Sequence, residues 1–220
     1  MEKERCFMEL VDDCISELFG HGTPECTTEE LIEHLKMVSK TNNLTPMETL
    51  RLASEVFGVY DDYDRVAMFY KVSEEQAEKD GVNVENVKLP RRATSGSAGY
   101  DFYAPEAFEL KPGEEIKIPT GVRCAILEGW YLGIFPRSGL GFKYRCGLAN
   151  TVGIIDSDYY FSDNEGHIMV KVVNNGNKVI KVGAGEAFCQ GIFQRYGLTI
   201  YDNESGIRNG GMGSTTERNS

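Results

Sequence analysis

Apolar positions in residues 1–60 fall three or four apart. Cys6, Phe7, Leu10, Val11, Cys14, Ile15 and Leu18 form one stripe, and Gly20 stands where a C-terminal helix cap falls. Thr27-Thr28-Glu29-Glu30 offers a capping box ahead of Leu31, Leu35 and Val38. Thr45-Pro46-Met47-Glu48 opens a third helix, with Pro at the first helical position and Glu at the third. That helix is expected to bury Leu50, Ala53, Val56 and Phe57 and to stop at Gly58. Residues 61–65 read as a linker. Beyond it the period shortens. VAMFYKV, EEIKIPTGVRCAI, WYLGIF, HIMVKVVN, KVIKVGAG and FCQGIFQRYGLTI are β-rich and punctuated by Gly and Pro. This spacing predicts a mainly β unit over 66–205, a sandwich, jelly roll or barrel. The end, residues 206–220, has no core-forming pattern and reads as a flexible tail.

Charge sharpens this division. Residues 1–65 hold 6 Lys+Arg against 15 Asp+Glu, a balance of −9, whereas 66–220 hold 17 against 19, a balance of −2. An acidic chain is a poor candidate for binding a nucleic-acid backbone, which relies on Lys and Arg. No run of about 18 apolar residues exists, so no membrane span is expected. The start, MEKERCFMELVDD, has no signal-peptide core, and the six cysteines include no CxxC pair. Both point to a reduced, cytoplasmic setting.

Five polar or Gly-rich clusters interrupt the β pattern: SGSAGYD (95–101), PRSGLGFK (136–143), NTVGIIDSDYY (150–160), GEAFCQG (185–191) and RNGGMGST (208–215). Glycine lets main-chain N–H groups approach an anion, and Ser, Thr and Arg add donors. Arginines, hydroxyls, Gly-flanked amides and a few aspartates are what a phosphate chain with a divalent metal requires. Any one cluster alone is an ordinary turn. Five in series are harder to explain that way.

In order and spacing these clusters resemble the five motifs of the trimeric dUTPase family, over roughly Val66 to Thr215. GSAGYD, PRSGL, GIIDSDY and the terminal GGxGST carry the likeness. The resemblance implies a β jelly-roll protomer in a homotrimer with shared interfacial sites. It also implies hydrolysis of dUTP to dUMP and pyrophosphate with Mg2+, which supplies dUMP for thymidylate synthesis and keeps uracil out of DNA. By the same resemblance, Asp156 activates the attacking water and Tyr159 packs on the deoxyribose, leaving no room for a 2′-hydroxyl. Asn150 reads the uracil edge together with main-chain groups of its hairpin, Gly153 among them. Asp101 holds the magnesium hydration shell, Arg137, Ser138 and Gly139 bind phosphate, and Gln190 lies near the α-phosphate. Arg208, Met212, Gly213, Ser214 and Thr215 match a C-terminal lid that crosses to a neighbouring subunit. Asp158 reads as structural, because a hairpin breaks its strand parity with Asp156.

Two departures stand out. Met212 replaces the family's usual Phe, so it covers a base without offset stacking. Met212→Phe is expected to leave turnover similar and tighten dUTP binding modestly, which a comparison of KM values checks. Residues 160–164 lengthen a turn that is tight in the shortest members, and read as a surface loop. A dCTP deaminase needs a glutamate where this chain has Lys171. His167 reads as structural. Cys6, Cys14, His21, Cys26 and His34 lack zinc-finger spacing. The acidic helices read as a passive cap, with a protein-binding regulatory module as the alternative, because their apolar stripe must be buried on something.

Overall fold

The computed structural model describes residues 2–19, 27–60, 64–204, 206 and 208. The chain divides into two compact units, Met1–Ala67 and Met68–Ser220. No helix among the described residues is long and apolar enough to cross a membrane.

The first unit holds α1 (Glu2–Phe19), α2 (Thr28–Thr41) and α3 (Pro46–Tyr60). Both capping boxes form: Glu30 and Glu48 each accept the N–H of the threonine three positions earlier, which caps their own N–H in return. The apolar stripes close on one another. Val11, Cys14, Leu31, Leu35, Val38, Leu52, Val56 and Phe57 form one buried cluster, with Phe7, Leu10 and Ile15 packed against it. The partner those stripes require is therefore supplied within the unit. Two expectations need correction. α3 runs through Gly58 to Tyr60, and Leu52 is fully buried while Ala53 is only half-buried. A lone glycine weakens a helix by about 1 kcal/mol, too little to end one. Gly20, His21 and Cys26 lie outside the described residues.

The second unit is mainly β. Its strands are β1 (Ala67–Lys71), β2 (Arg91–Arg92), β3 (Tyr100–Tyr103), β4 (Phe108–Leu110), β5 (Glu115–Pro119), β6 (Val122–Ile126), β7 (Trp130–Pro136), β8 (Cys146–Leu148), β9 (Gly153–Ile155), β10 (Met169–Asn174), β11 (Ile180–Val182) and β12 (Ala187–Arg195). They form four small sheets, ordered β2-β3-β12-β7-β9, β5-β10-β8, β11-β4 and β1-β6. Phe102, Leu132, Ile134, Ile168, Ile180 and Phe188 are almost wholly buried between them. Neighbours distant in sequence, such as β3 and β12, pair antiparallel. Two helices interrupt the strands, α4 (Glu74–Lys79) and α5 (Ser138–Tyr144). β12 ends at Arg195, so the LTI that follows is not part of the strand.

Candidate active site

The five-stranded sheet sets one half of the site. Asp101 on β3 stands opposite Gln190 on β12, and Gln190 opposite Phe135 on β7. A register shift between Ala187 and Cys189 precedes Gln190, a device that re-aims side chains beside functional sites. The Gln190 amide donates to the Pro136 carbonyl at 3.1 Å. Its Oε1 lies 2.5 Å from where a Cβ on Gly99 would sit, so the glycine of SGSAG makes room for this glutamine. Arg137 caps α5 in extended conformation. Its Nε is 3.1 Å from Asp101 Oδ1, and its Nη1 donates to the Ala187 carbonyl at 3.3 Å. A cavity of about 530 Å³ opens here, lined by Arg137, Ser138, Gly139, Lys143 and Lys181. Three cations around one hollow are suited to a polyanion.

The other half follows β8. The turn after it carries Asn150, which is exposed, and Thr151, a β-branched residue at φ 67°. Such a conformation costs about 1–3 kcal/mol and concentrates at functional sites. Asn150 and Gly153 line a second cavity of about 490 Å³, walled by Ile134, Leu148 and Ile155.

After Ile155 the chain enters a 3-10 turn over Ser157–Phe161, not the expected hairpin. This changes the reading of Asp158. Arg208 donates from Nη2 to Asp156 Oδ2 at 2.5 Å and from Nε to Asp158 Oδ1 at 2.8 Å, so one guanidinium gathers both carboxylates. Asp158 thus belongs to the electrostatic setting of Asp156. Burial raises the Asp156 pKa above the usual aspartate value, and the Asp158 charge adds to this, while Arg208 opposes both. Tyr159 is buried, with one ring face 5.9 Å from the Arg208 guanidinium carbon. Its hydroxyl donates to the His167 carbonyl and accepts from the Asn164 amide, both at 2.9 Å.

Residues 160–164 are more than a surface loop. Tyr160 and Ser162 are buried, and the Arg123 guanidinium lies 3.8 Å from the Tyr160 ring centre. His167 is wholly buried. Its Nε2 accepts the Gly121 N–H at 2.7 Å, and Nδ1 pairs with Asp80 Oδ2 at 2.6 Å. Burial pushes its pKa down against the pull of Asp80, in keeping with a structural imidazole. The role of Asn164 was missed from sequence, although an Asn two positions before Gly166 is a turn signal.

The structure therefore brings together Asp101, Arg137 and Gln190 on one side, and Asp156, Tyr159 and Arg208 on the other. β3 and β9 are separated by β12 and β7, about 14 Å at ordinary strand spacing. Met212, Gly213, Ser214 and Thr215 lie outside the described residues.

A family model described as dUTPase matches residues 85–216, which takes in β2 through β12 and α5 but neither β1 nor α4. The chain belongs to the dUTPase family. Among similar proteins, the deoxyuridine 5'-triphosphate nucleotidohydrolase of Finegoldia magna is 42% identical over 117 residues, 52% of this chain and 78% of that protein. The one from Lactococcus lactis subsp. lactis is 38% identical over 132 residues, 59% of this chain and 88% of that protein. The crystal structure of dUTPase from Streptococcus mutans superposes with a TM-score of 0.51 at 35% identity, covering 60% of this chain and 97% of that one. The dUTPase match begins beyond the first unit, so the helices are an addition to the family's shared part.

Proposed function

We propose that this dUTPase hydrolyses dUTP to dUMP and pyrophosphate, with Asp156 as the proton acceptor for the attacking water. The observation that carries the reading is the Asp156–Arg208–Tyr159 group. It holds a half-buried carboxylate of raised pKa beside an aromatic wall and a guanidinium suited to phosphate. Asp156 orients a water and takes its proton on a carboxylate oxygen as the oxygen attacks the α-phosphorus. Arg137 and Ser138 donate to phosphate oxygens, and Gln190 stands near the α-phosphate. Tyr159 walls the sugar, and Asn150 reads the base from the second cavity. Positioning and charge matter more here than basicity.

The donor set fits a magnesium ion that travels with the substrate. Among the described residues no three His, Cys, Asp or Glu gather as a metal cage. Magnesium keeps several waters and binds chiefly through substrate phosphates, so one carboxylate suffices, and Asp101 would hold it through water. When bound, the ion neutralises charge on the phosphates.

A homotrimer with jelly-roll protomers is part of the proposal. Its support is the separation of the two half-sites and the exposure of Ile154, Leu198, Ile200 and Tyr201. A deaminase reading finds no carboxylate at Lys171, which pairs with Glu115 on the neighbouring strand. A cytoplasmic setting belongs to the same proposal.

Pyrophosphate release from dUTP, dCTP, dTTP and UTP with magnesium tests this reading in wild type and Asp156→Asn. Fast release from dUTP alone, lost in the variant, is expected. A folded assembly that leaves dUTP intact would refute it.

A further inference from the structure

Asn164 holds a closed set of bonds beside Tyr159. Its Nδ2 donates to the Tyr159 hydroxyl at 2.9 Å and to the His167 carbonyl at 3.4 Å, and its Oδ1 accepts the Gly166 N–H at 3.2 Å. Its backbone carbonyl accepts the His167 N–H at 3.0 Å. With every group engaged, this amide has one orientation. The loop it closes is tight: a Cβ on Gly166, at φ 69°, would lie 2.7 Å from the Tyr159 carbonyl oxygen. The far end of the loop is pinned by the wholly buried His167 ring, bonded to Gly121 and Asp80.

The Tyr159 ring therefore has a fixed hydroxyl end and one face toward Arg208 and, through it, Asp156. A ring that excludes a hydroxyl group must not tilt, because a displacement near 1 Å admits the extra atom. Nothing else among the described residues donates to the Tyr159 oxygen.

Resting on the dUTP reading above, we infer that Asn164 is a positioning residue for Tyr159, and that residues 160–164 set how strictly the site rejects a ribose. The lengthened segment would thus act as a gauge on the sugar, by supplying the amide that locks the aromatic wall.

The test measures kcat and KM for dUTP and UTP in wild type, Asn164→Ala, Asn164→Asp, Tyr159→Phe and the Asn164→Ala/Tyr159→Phe double variant, with melting temperatures. Asn164→Asp keeps an acceptor for the Gly166 N–H and exchanges the donor for a charged oxygen that repels the His167 carbonyl, so it separates loss of the loop turn from loss of the donated bond. The preference for dUTP over UTP is expected to drop roughly five- to tenfold in both Asn164 variants, the worth of one hydrogen bond. The change should appear mainly in KM, because the ring contacts ground state and transition state alike. In the Tyr159→Phe background, Asn164→Ala should add less than about twofold, since coupled partners are not additive. A selective wild type whose preference survives in Asn164→Asp overturns this inference while leaving the dUTP reading intact. Fully additive losses overturn it as well. A wild type indifferent to the 2′-hydroxyl overturns both.

Discussion

The helical unit and the β unit use their polar residues differently. In the helices, Thr27, Glu30, Thr45 and Glu48 satisfy helix ends, and nearly every buried position is apolar. In the β unit, Asp156 sits half-buried beside a second carboxylate, Thr151 holds a strained backbone, and Arg137 spans from Asp101 to Ala187. The half-buried Asp156 charge and the Thr151 backbone each carry a cost that the fold itself does not require. A region explained wholly by its own stability and a region carrying unexplained polar cost differ in purpose, and the second is where chemistry belongs.

The sharpest way to break this comparison is to substitute one residue in each region. Asp156→Asn should lower kcat for dUTP by about 10²–10⁴-fold, the usual worth of a general base. Its folding should not suffer. The raised pKa means that the folded state binds the proton more tightly than the unfolded one. The stability this group contributes is therefore present at low pH and lost as pH rises through the folded pKa. At neutral pH the variant should melt no lower than wild type, which calorimetry would show. Leu35→Ala should do the reverse, costing the helical unit about 2–4 kcal/mol in urea unfolding while kcat per folded molecule holds. A tenfold fall in kcat on that change would end the division of labour drawn here.

A smaller effect sharpens the electrostatic part. Asp156 must be ionised to accept a proton, so the acid limb of kcat/KM should lie above that of an ordinary aspartate. Asp158→Asn removes a charge that raises the Asp156 pKa, and should move the limb to lower pH. Arg208→Gln removes the opposing charge and should move it to higher pH, with weaker dUTP binding besides. The two pH profiles should thus separate in opposite directions. The smallest expected effect is Thr45→Ala. Losing this cap should cost the helical unit about 1 kcal/mol and leave dUTP turnover untouched.

The helices were legible because their signals are local: cap, period and stop lie within one segment. Gly58 misled, since a glycine is a weak stop when neighbouring apolar residues still have a core to fill. The long strands were legible from alternation and β-rich composition. The short ones, β2, β4 and β9, were not, since two or three residues carry no period. α5 was hidden inside PRSGLGFK, where glycines suggest a loop although the segment is helical. For the site, the motifs named the residues but not their company. That Arg208 gathers Asp156 with Asp158, and that Asn164 bonds Tyr159, depends on a 3-10 turn whose geometry no spacing rule encodes.

Gly99 and Gln190 occupy one space between them, though they stand far apart in the chain. A side chain at the first position is compatible only with a shorter or redirected one at the second. A substitution in the first motif is therefore felt by the glutamine of the fourth. A chimera that takes its first motif from a relative with a bulkier residue there must take the fourth motif from the same parent, or lose the glutamine from the site. Inheritance at these positions is coupled, because a recombination that separates a matched pair redirects the glutamine and costs its bond to the Pro136 carbonyl.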